Sequence, residues 1–273
     1  MKDRDTREPS YTDHPLDMGQ TIHWYLTVSD KILDGLAETD RSGFVIPLEN
    51  PRHLSIDKSQ IRYLIGLFPP SAIARSGLRS IKGEPTIYFD KASTPGEPKP
   101  TENVSEALSP TAFAPSYTDY QKDPRSSGIE SVIHLFEIPA EVDPKVRRII
   151  HAQGFVHEYA HSIITPALYG KDYRLKLTSG EVVEAEELLQ RFAGEQEKHT
   201  PFSHYSSGYR SSGQKFEDTA RPKISVNEEL AEAIAAELLG FVYCREEARR
   251  FNQFYDRPDV RQTVRDFLSA EKV

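Results

Sequence analysis

The sequence predicts an α+β fold in a single large domain. The chain has 273 residues, and at roughly 100–200 residues per domain this length suits one large domain or two small ones. Hydrophobic residues make up 37% and charged residues 28%, a globular composition that excludes a collagen-like, coiled-coil or wholly disordered protein. Segments with apolar residues at helical spacing alternate with short strand-like apolar runs, and no repeat is present.

The first half of the chain predicts a leader followed by helices and strands. Residues 1–21 carry charge but no long apolar run, and predict a flexible leader to a domain at 22–273. Apolar periodicity predicts helices at 22–36 and 59–67 and strands at 43–48 and 85–90. Residues 91–128 are rich in Pro, Ser, Thr and charge, which predicts an insertion that is either a functional flap or disordered.

The second half predicts one strand and four helices. The strand covers 131–138, and the next helix begins after Asp143, a good N-cap, and ends at Thr165 because Pro166 follows. Further helices are predicted at 181–193, at 227–243 and after Pro258, with a polar connection at 196–223.

Charge and cysteine content exclude several classes of function. Lys and Arg total 34 against 42 Asp and Glu, for a net charge of −8, which argues against nucleic acid or an anionic membrane as partner. The longest weakly polar stretch, Leu230 to Tyr243, is well short of the ~20 residues that span a bilayer. A lone cysteine, Cys244, permits no internal disulfide. We expect a cytoplasmic protein, or one exported without a cleavable N-terminal signal peptide.

The helix after Asp143 contains His157-Glu158-Tyr159-Ala160-His161, an H-E-x-x-H pattern. Residues four apart share a helix face, so both imidazoles can reach one metal ion while Glu158 lies beside His157 as a base. The surrounding apolar residues predict burial, where unpaired histidines would be costly. The alternative is two core histidines bonded to nearby backbone, the structural role that we expect of His134 and His151.

A catalytic zinc site needs three protein ligands and an open position. Glu228 and Glu232, four apart on the later helix, are candidates for the third ligand, although a solvated acidic stripe is the alternative. From Leu230 to Tyr243 the only charges are Glu232 and Glu237, and they lie about 140° apart around the helix. One of these carboxylates is therefore expected to point inward. The alanines of this helix permit close approach to the His157 helix; they are Ala231, Ala233, Ala235 and Ala236.

These two segments resemble the zincin metallopeptidases and, within them, the gluzincins, in which a glutamate on a later helix completes H-E-x-x-H. The stretch NEELAEAIA at 227–235 is similar to the E-x-x-A-E-A stretch of the anthrax lethal-factor-like peptidases, and more loosely to N-E-x-x-S-D of the thermolysin-like ones. Both alignments select Glu228. The resemblance covers about 100 residues, Asp143 to Tyr243, and implies a small mixed sheet packed on an active-site helix and a third-ligand helix.

The resemblance also implies roles for individual residues. His157, His161 and Glu228 would bind one Zn²⁺ per chain, Glu158 would be the general base, and Glu232 would orient a ligand histidine from outside. Lethal-factor-like enzymes place an oxyanion-stabilising tyrosine a few residues before the third ligand, but residues 219–226 contain none. The nearest candidates are Tyr209, which we prefer, Tyr205 and His204.

The expected function is a zinc metalloendopeptidase that hydrolyses peptide bonds in a restricted protein or peptide substrate, as a toxin or effector does. The endopeptidase assignment follows because the sequence suggests no dedicated grip on a terminal amine or carboxylate. The alternative is a non-catalytic zincin fold that serves as a binding or regulatory module. Retention of Glu158 disfavours this alternative, since a structural site needs ligands but no base.

Overall fold

The computed structural model describes residues 46–89, 100–101, 113–114, 116–122, 129–170, 172–199, 223–239 and 257–273. Within these ranges the chain combines six α-helices with small sheets, so the α+β class is confirmed. The predicted leader at 1–21, the predicted helix at 22–36 and Cys244 lie outside the described residues. None of the helices in these ranges has the length and apolarity needed to cross a membrane.

The elements are numbered in chain order. The strands are β1 (Leu48–Glu49), β2 (Leu78–Glu84), β3 (Ile87–Phe89), β4 (Pro100–Thr101), β5 (Phe113–Ala114), β6 (Ser116–Lys122), β7 (Ile129–Phe136), β8 (Arg174–Lys176), β9 (Val182–Glu184) and β10 (Glu271–Lys272). The helices are α1 (Lys58–Ile65), α2 (Pro70–Arg75), α3 (Pro144–Tyr169), α4 (Ala185–Gln196), α5 (Lys223–Leu239) and α6 (Pro258–Ser269).

The central sheet has four strands in the order β1-β2-β7-β6. β1, β2 and β7 are parallel, whereas β6 runs antiparallel to β7 and forms one edge. The sheet is therefore small and mixed, as expected. Two further three-stranded sheets have the orders β4-β3-β5 and β10-β8-β9.

Strand β2 was not predicted. A register shift between Leu78 and Ser80 interrupts its pairing with β7, so the strand lacks the strict alternation of apolar and polar residues that identifies a strand in sequence. A Cβ on Gly83 would lie 2.3 Å from the backbone oxygen of Asn50. Glycine at this position therefore permits the chain before β2 to lie directly against the strand.

The prediction that residues 91–128 form an insertion is wrong for the residues of β6. Ser116–Lys122 is a strand of the central sheet rather than part of an irregular insertion, and Ser116 pairs with Leu135 while Thr118 pairs with Ile133. The face of β6 that is directed at the core carries Ser116, Thr118 and Tyr120, because these residues pair with the core-facing residues of β7. Apolar periodicity cannot identify a strand whose inward face bears hydroxyl groups.

Helix α3 extends past the predicted end at Thr165 and includes Pro166. Proline has no N–H, so the carbonyl of Ser162, one turn earlier, loses its helical partner. The backbone N–H of Gly77 donates to this carbonyl at 3.0 Å. A contact from outside the helix thus satisfies the carbonyl and allows one more turn.

Most other predicted elements are present with shifted ends. Helix α1 has a capping box, in which the Asp57 carboxylate accepts from the Gln60 N–H and the Gln60 side chain accepts from the Asp57 N–H. The hairpin of β8 and β9 was not predicted, and α4 begins only after it. The elements present are 43–48 as β1, 59–67 as α1, 85–90 as β3, 131–138 as β7, 181–193 as α4, 227–243 as α5 and the helix after Pro258 as α6. Of these predicted ranges, residues 43–45, 90 and 240–243 lie outside the described residues.

Helix α3 lies between the central sheet and α5, and its central residues are buried on both sides. Phe155, Tyr159 and Ile163 are fully buried in the same core as Ile133 of β7. On the other side α3 packs against α5, whose alanines are buried. This packing brings the H-E-x-x-H segment of α3 next to the acidic segment of α5.

Candidate metal centre

Three predicted ligands come together where α3 faces the start of α5. The Nε2 atoms of His157 and His161 are 3.1 Å apart, and Glu228 Oε2 lies 3.4 Å from each of them. Among the described residues this is the one group of His, Cys, Asp or Glu side chains that could hold a metal ion. The helical spacing of the two histidines and the close packing of α5 produce this arrangement.

The geometry of the three donor atoms fits a tetrahedral metal. Atoms bound tetrahedrally to zinc at about 2.0–2.1 Å lie about 3.3 Å from one another. The observed triangle has sides of 3.1, 3.4 and 3.4 Å, which matches one face of such a tetrahedron. Two imidazole nitrogens and one carboxylate oxygen are also a donor set that zinc prefers, with a fourth position left open.

Charge coupling within this triad is strong. Burial lowers the pKa of His161, but the carboxylate of Glu228 outweighs burial and raises the pKa to about 9. Burial raises the pKa of Glu228, yet His161 and His157 outweigh it and hold the pKa well below its usual range. The two shifts have one cause, because the carboxylate of Glu228 and the charged form of His161 stabilise each other.

A chain of hydrogen bonds orients His161 from behind. Its Nδ1–H donates to Asn227 Oδ1 at 2.9 Å, so that Nε2 is the ring nitrogen that faces the triad. The amide of Asn227 donates in turn to Thr165 Oγ1 at 3.4 Å. Thr165 also interacts with the side chain of Tyr120 on β6, so the contacts extend from a candidate ligand to the edge strand.

Glu158 is buried beside the triad, and its charge contributes to the raised pKa of His161. Ser116 Oγ donates to one of its carboxylate oxygens, Oε1, at 2.9 Å, and Thr118 Oγ1 donates to the other, Oε2, at 2.6 Å. Both hydroxyls belong to β6. The predicted base is therefore held by a strand that apolar periodicity did not identify.

The other predicted site residues differ in their placement. Glu232 lies on α5 one turn after Glu228 and is buried, so this carboxylate points inward, but its orienting role stays a prediction. Glu237 pairs with Arg261 and Arg265 of α6. The oxyanion candidates Tyr209, Tyr205 and His204 lie outside the described residues.

Several residues around the site were missed in the sequence. Burial raises the pKa of Tyr120, and the charges of Glu158 and Glu228 raise it further, so the phenol stays neutral near the triad. Tyr169, at the end of α3, has a pKa raised by burial and by Glu228. Tyr120 is on β6, and the signal available in the sequence was that side chains with hydroxyl groups alternate along this strand. Asn227 directly precedes Glu228, the predicted third ligand, and that adjacency was its only signal.

Two other histidines have structural surroundings, as expected. His151 is fully buried on α3, accepts from the Ser55 N–H at Nδ1 and donates to the Phe136 carbonyl from Nε2. His134 lies 3.0 Å from the Glu84 carboxylate and stacks on the ring of Tyr117. Both ring nitrogens of His151 and Nδ1 of His134 have protein partners, and neither histidine belongs to the candidate metal group.

No protein family, curated protein or solved structure matches this chain.

Proposed function

We propose that this protein is a zinc metallopeptidase that hydrolyses peptide bonds in a restricted protein substrate. The observation that carries the proposal is the triangle of His157, His161 and Glu228 donor atoms, which has the dimensions of a tetrahedral zinc face. A buried carboxylate, Glu158, lies next to it. The resemblance of both helical segments to the gluzincins supports the same conclusion.

Each residue has a distinct task in this proposal. His157, His161 and Glu228 would hold the zinc, and Asn227 would keep His161 in the tautomer that presents Nε2. When bound, zinc supplies a Lewis acid that polarises the scissile carbonyl and lowers the pKa of a coordinated water. Glu158 takes the proton from the attacking water and passes it to the leaving amine. A neutral phenol such as that of Tyr120 or Tyr169 is a donor near the site.

The charge of the chain indicates which kinds of partner it can bind. The net charge of −8 supports a protein or peptide substrate rather than nucleic acid or an anionic membrane. We propose a cytoplasmic location, or export without a cleavable signal peptide.

Replacing the base separates catalysis from metal binding. Glu158→Gln keeps the shape of the side chain, but the amide cannot accept a proton from water at neutral pH. We expect wild-type zinc content, near one per chain, with hydrolysis of a peptide library reduced by about 10²–10⁴-fold. Metal analysis of the purified protein and product detection by mass spectrometry measure the two quantities.

A matched substitution controls for nonspecific effects. Glu187 is an exposed residue of α4, so Glu187→Gln makes the same chemical change away from the site and should alter neither quantity. A wild-type protein that binds zinc but cleaves nothing in peptide and lysate screens would contradict the proposal and favour the binding module.

A further inference from the structure

We propose that Ser116 and Thr118 are positioning residues that fix the orientation of the Glu158 carboxylate. This inference rests on the proposed function, because orientation matters if Glu158 moves a proton. Strand β6 would then hold the base in its orientation, a role separate from binding the metal and from accepting the proton.

The contacts restrain Glu158 more than a single hydrogen bond would. Ser116 Oγ donates to Oε1 at 2.9 Å, and Thr118 Oγ1 donates to Oε2 at 2.6 Å. One donor fixes the position of one oxygen but allows the carboxylate to rotate about it. Two donors on different oxygens also fix the plane of the group. Thr118 Oγ1 lies in addition 3.4 Å from the backbone oxygen of Glu158, which ties the hydroxyl to the helix itself.

Hydroxyl groups suit this task chemically. A carboxylate has about four lone-pair sites, so two hydroxyl donors leave sites that can accept a proton from water. A lysine or arginine in the same place would form an ion pair and favour the ionised carboxylate more strongly. The two hydroxyls therefore orient Glu158 and still leave it able to act as a base.

The fold holds the two donors in place. Ser116 and Thr118 are paired with Leu135 and Ile133, which are fully buried in the centre of the sheet, so the strand cannot shift without disturbing the core. Gly154 lies one turn before Glu158 on α3. A Cβ on Gly154 would be 3.0 Å from Ser116 Oγ and 3.4 Å from its Cβ, so the glycine provides the space that Ser116 occupies.

The test removes one hydroxyl without changing the shape of the side chain. Thr118→Val should lower kcat by about 10–100-fold, because a small misplacement of a catalytic group has effects of this size. The KM and the zinc content should stay at wild-type values. Thr118→Ser retains the hydroxyl and should recover most of kcat, and Ser116→Ala should give a smaller loss because its bond is longer.

The control is a second threonine with the same kind of contact. Thr263 Oγ1 donates to the Glu195 carboxylate at 2.7 Å, between α6 and α4, so Thr263→Val removes an equivalent bond that involves neither Glu158 nor a triad residue. It should affect stability but not kcat. A loss of kcat in both valine variants would indicate a general effect of destabilisation and would overturn the assignment.

A spectroscopic readout makes the test independent of turnover. Infrared difference spectra, each variant minus the same variant with Glu158→Gln, isolate the carboxylate band of Glu158 in chelator-treated protein. Thr118→Val should move this band and Thr263→Val should not. If the Ser116→Ala/Thr118→Val double variant keeps both the band and kcat, the positioning role is wrong. If wild type cleaves nothing, the proposed function fails, while the band still decides whether the hydroxyls orient Glu158.

Discussion

Helix α3 carries histidines in two regions with opposite surroundings. In its first half, both ring nitrogens of His151 bond to backbone groups of other segments, at 2.8 Å each. In its second half, the Nε2 atoms of His157 and His161 face each other and a carboxylate. Burial lowers the pKa of His151 to about 4, whereas Glu228 outweighs burial and raises that of His161 to about 9.

The difference shows what distinguishes a structural histidine from a candidate ligand. Burial acts on both imidazoles in the same direction, because it penalises the charged form. The groups that each imidazole contacts decide whether its pKa falls or rises. Two backbone partners satisfy the neutral ring of His151 and leave no lone pair for a metal, while the triad directs three donor atoms at one point. Burial of a histidine is therefore uninformative about metal binding until the partner of each nitrogen is known.

The largest expected effect is on zinc binding. His157→Ala removes one of three donors, so we expect zinc to fall from one per chain to a small fraction, with an affinity loss above the 10–100-fold typical of outer partners. His151→Gln, a change six residues earlier on the same helix, should keep full zinc content. Equilibrium dialysis followed by metal analysis measures both.

The opposite result for the two variants would contradict this assignment of the histidines. If His151→Gln loses zinc while His157→Ala keeps it, the two regions of α3 have been assigned in the wrong order. Circular dichroism at both variants ensures that a loss of zinc reflects the site and not unfolding.

The second prediction concerns stability at acid pH. His151 stays neutral in the folded protein down to pH about 4, whereas an unfolded chain protonates it near 6.5. The unfolded state thus gains a proton that the folded state does not, and stability is lost as the pH falls from 6.5 towards 4. The full effect is about 3 kcal/mol. Arg147 adds to the lowered pKa, and Glu137 and the bond to Phe136 oppose it.

Urea unfolding of wild type and His151→Gln at several pH values, in the same chelating buffer, isolates this contribution. Glutamine does not titrate, so the variant should lose less stability between pH 6.5 and 4 than wild type. Parallel curves for the two proteins would show that His151 does not titrate as described.

The sequence predicts those parts of the site that depend on local geometry. Helical spacing alone places His157, Glu158 and His161 together. The acidic, alanine-rich helix indicates Glu228 and Glu232 as candidates for the third ligand, and the resemblance to the gluzincins selects Glu228. These predictions needed no knowledge of the tertiary pairing of strands. The structure brings the donor atoms of His157, His161 and Glu228 within 3.4 Å of one another.

The parts that escaped prediction depend on long-range contacts. Strand β6 has a polar inward face because its hydroxyls bond to Glu158, a residue 42 and 40 positions away from Ser116 and Thr118. The extra turn of α3 beyond Pro166 needs a donor from Gly77. In each case a residue distant in the sequence forms a hydrogen bond with a polar group. Judged from its sequence neighbours alone, that polar group is typical of irregular structure.

The smallest effect is expected from the outer partners of the triad, and it tests whether Asn227 belongs with the site. Asn227→Ala removes the acceptor of the His161 Nδ1–H, so the imidazole loses its fixed orientation and a buried donor loses its partner. Zinc affinity should fall by about 10–100-fold with the fold intact, and chelator competition measures it.

Glu232→Ala removes the outer carboxylate predicted from the sequence and should give a loss of zinc affinity in the same range. A loss in Glu232→Ala alone would mean that the Asn227 bond to His161 is dispensable and that the carboxylate is the partner that orients a ligand. A loss in Asn227→Ala alone would instead assign the orienting role to the amide and leave Glu232 as a buried residue of α5 without effect on the metal.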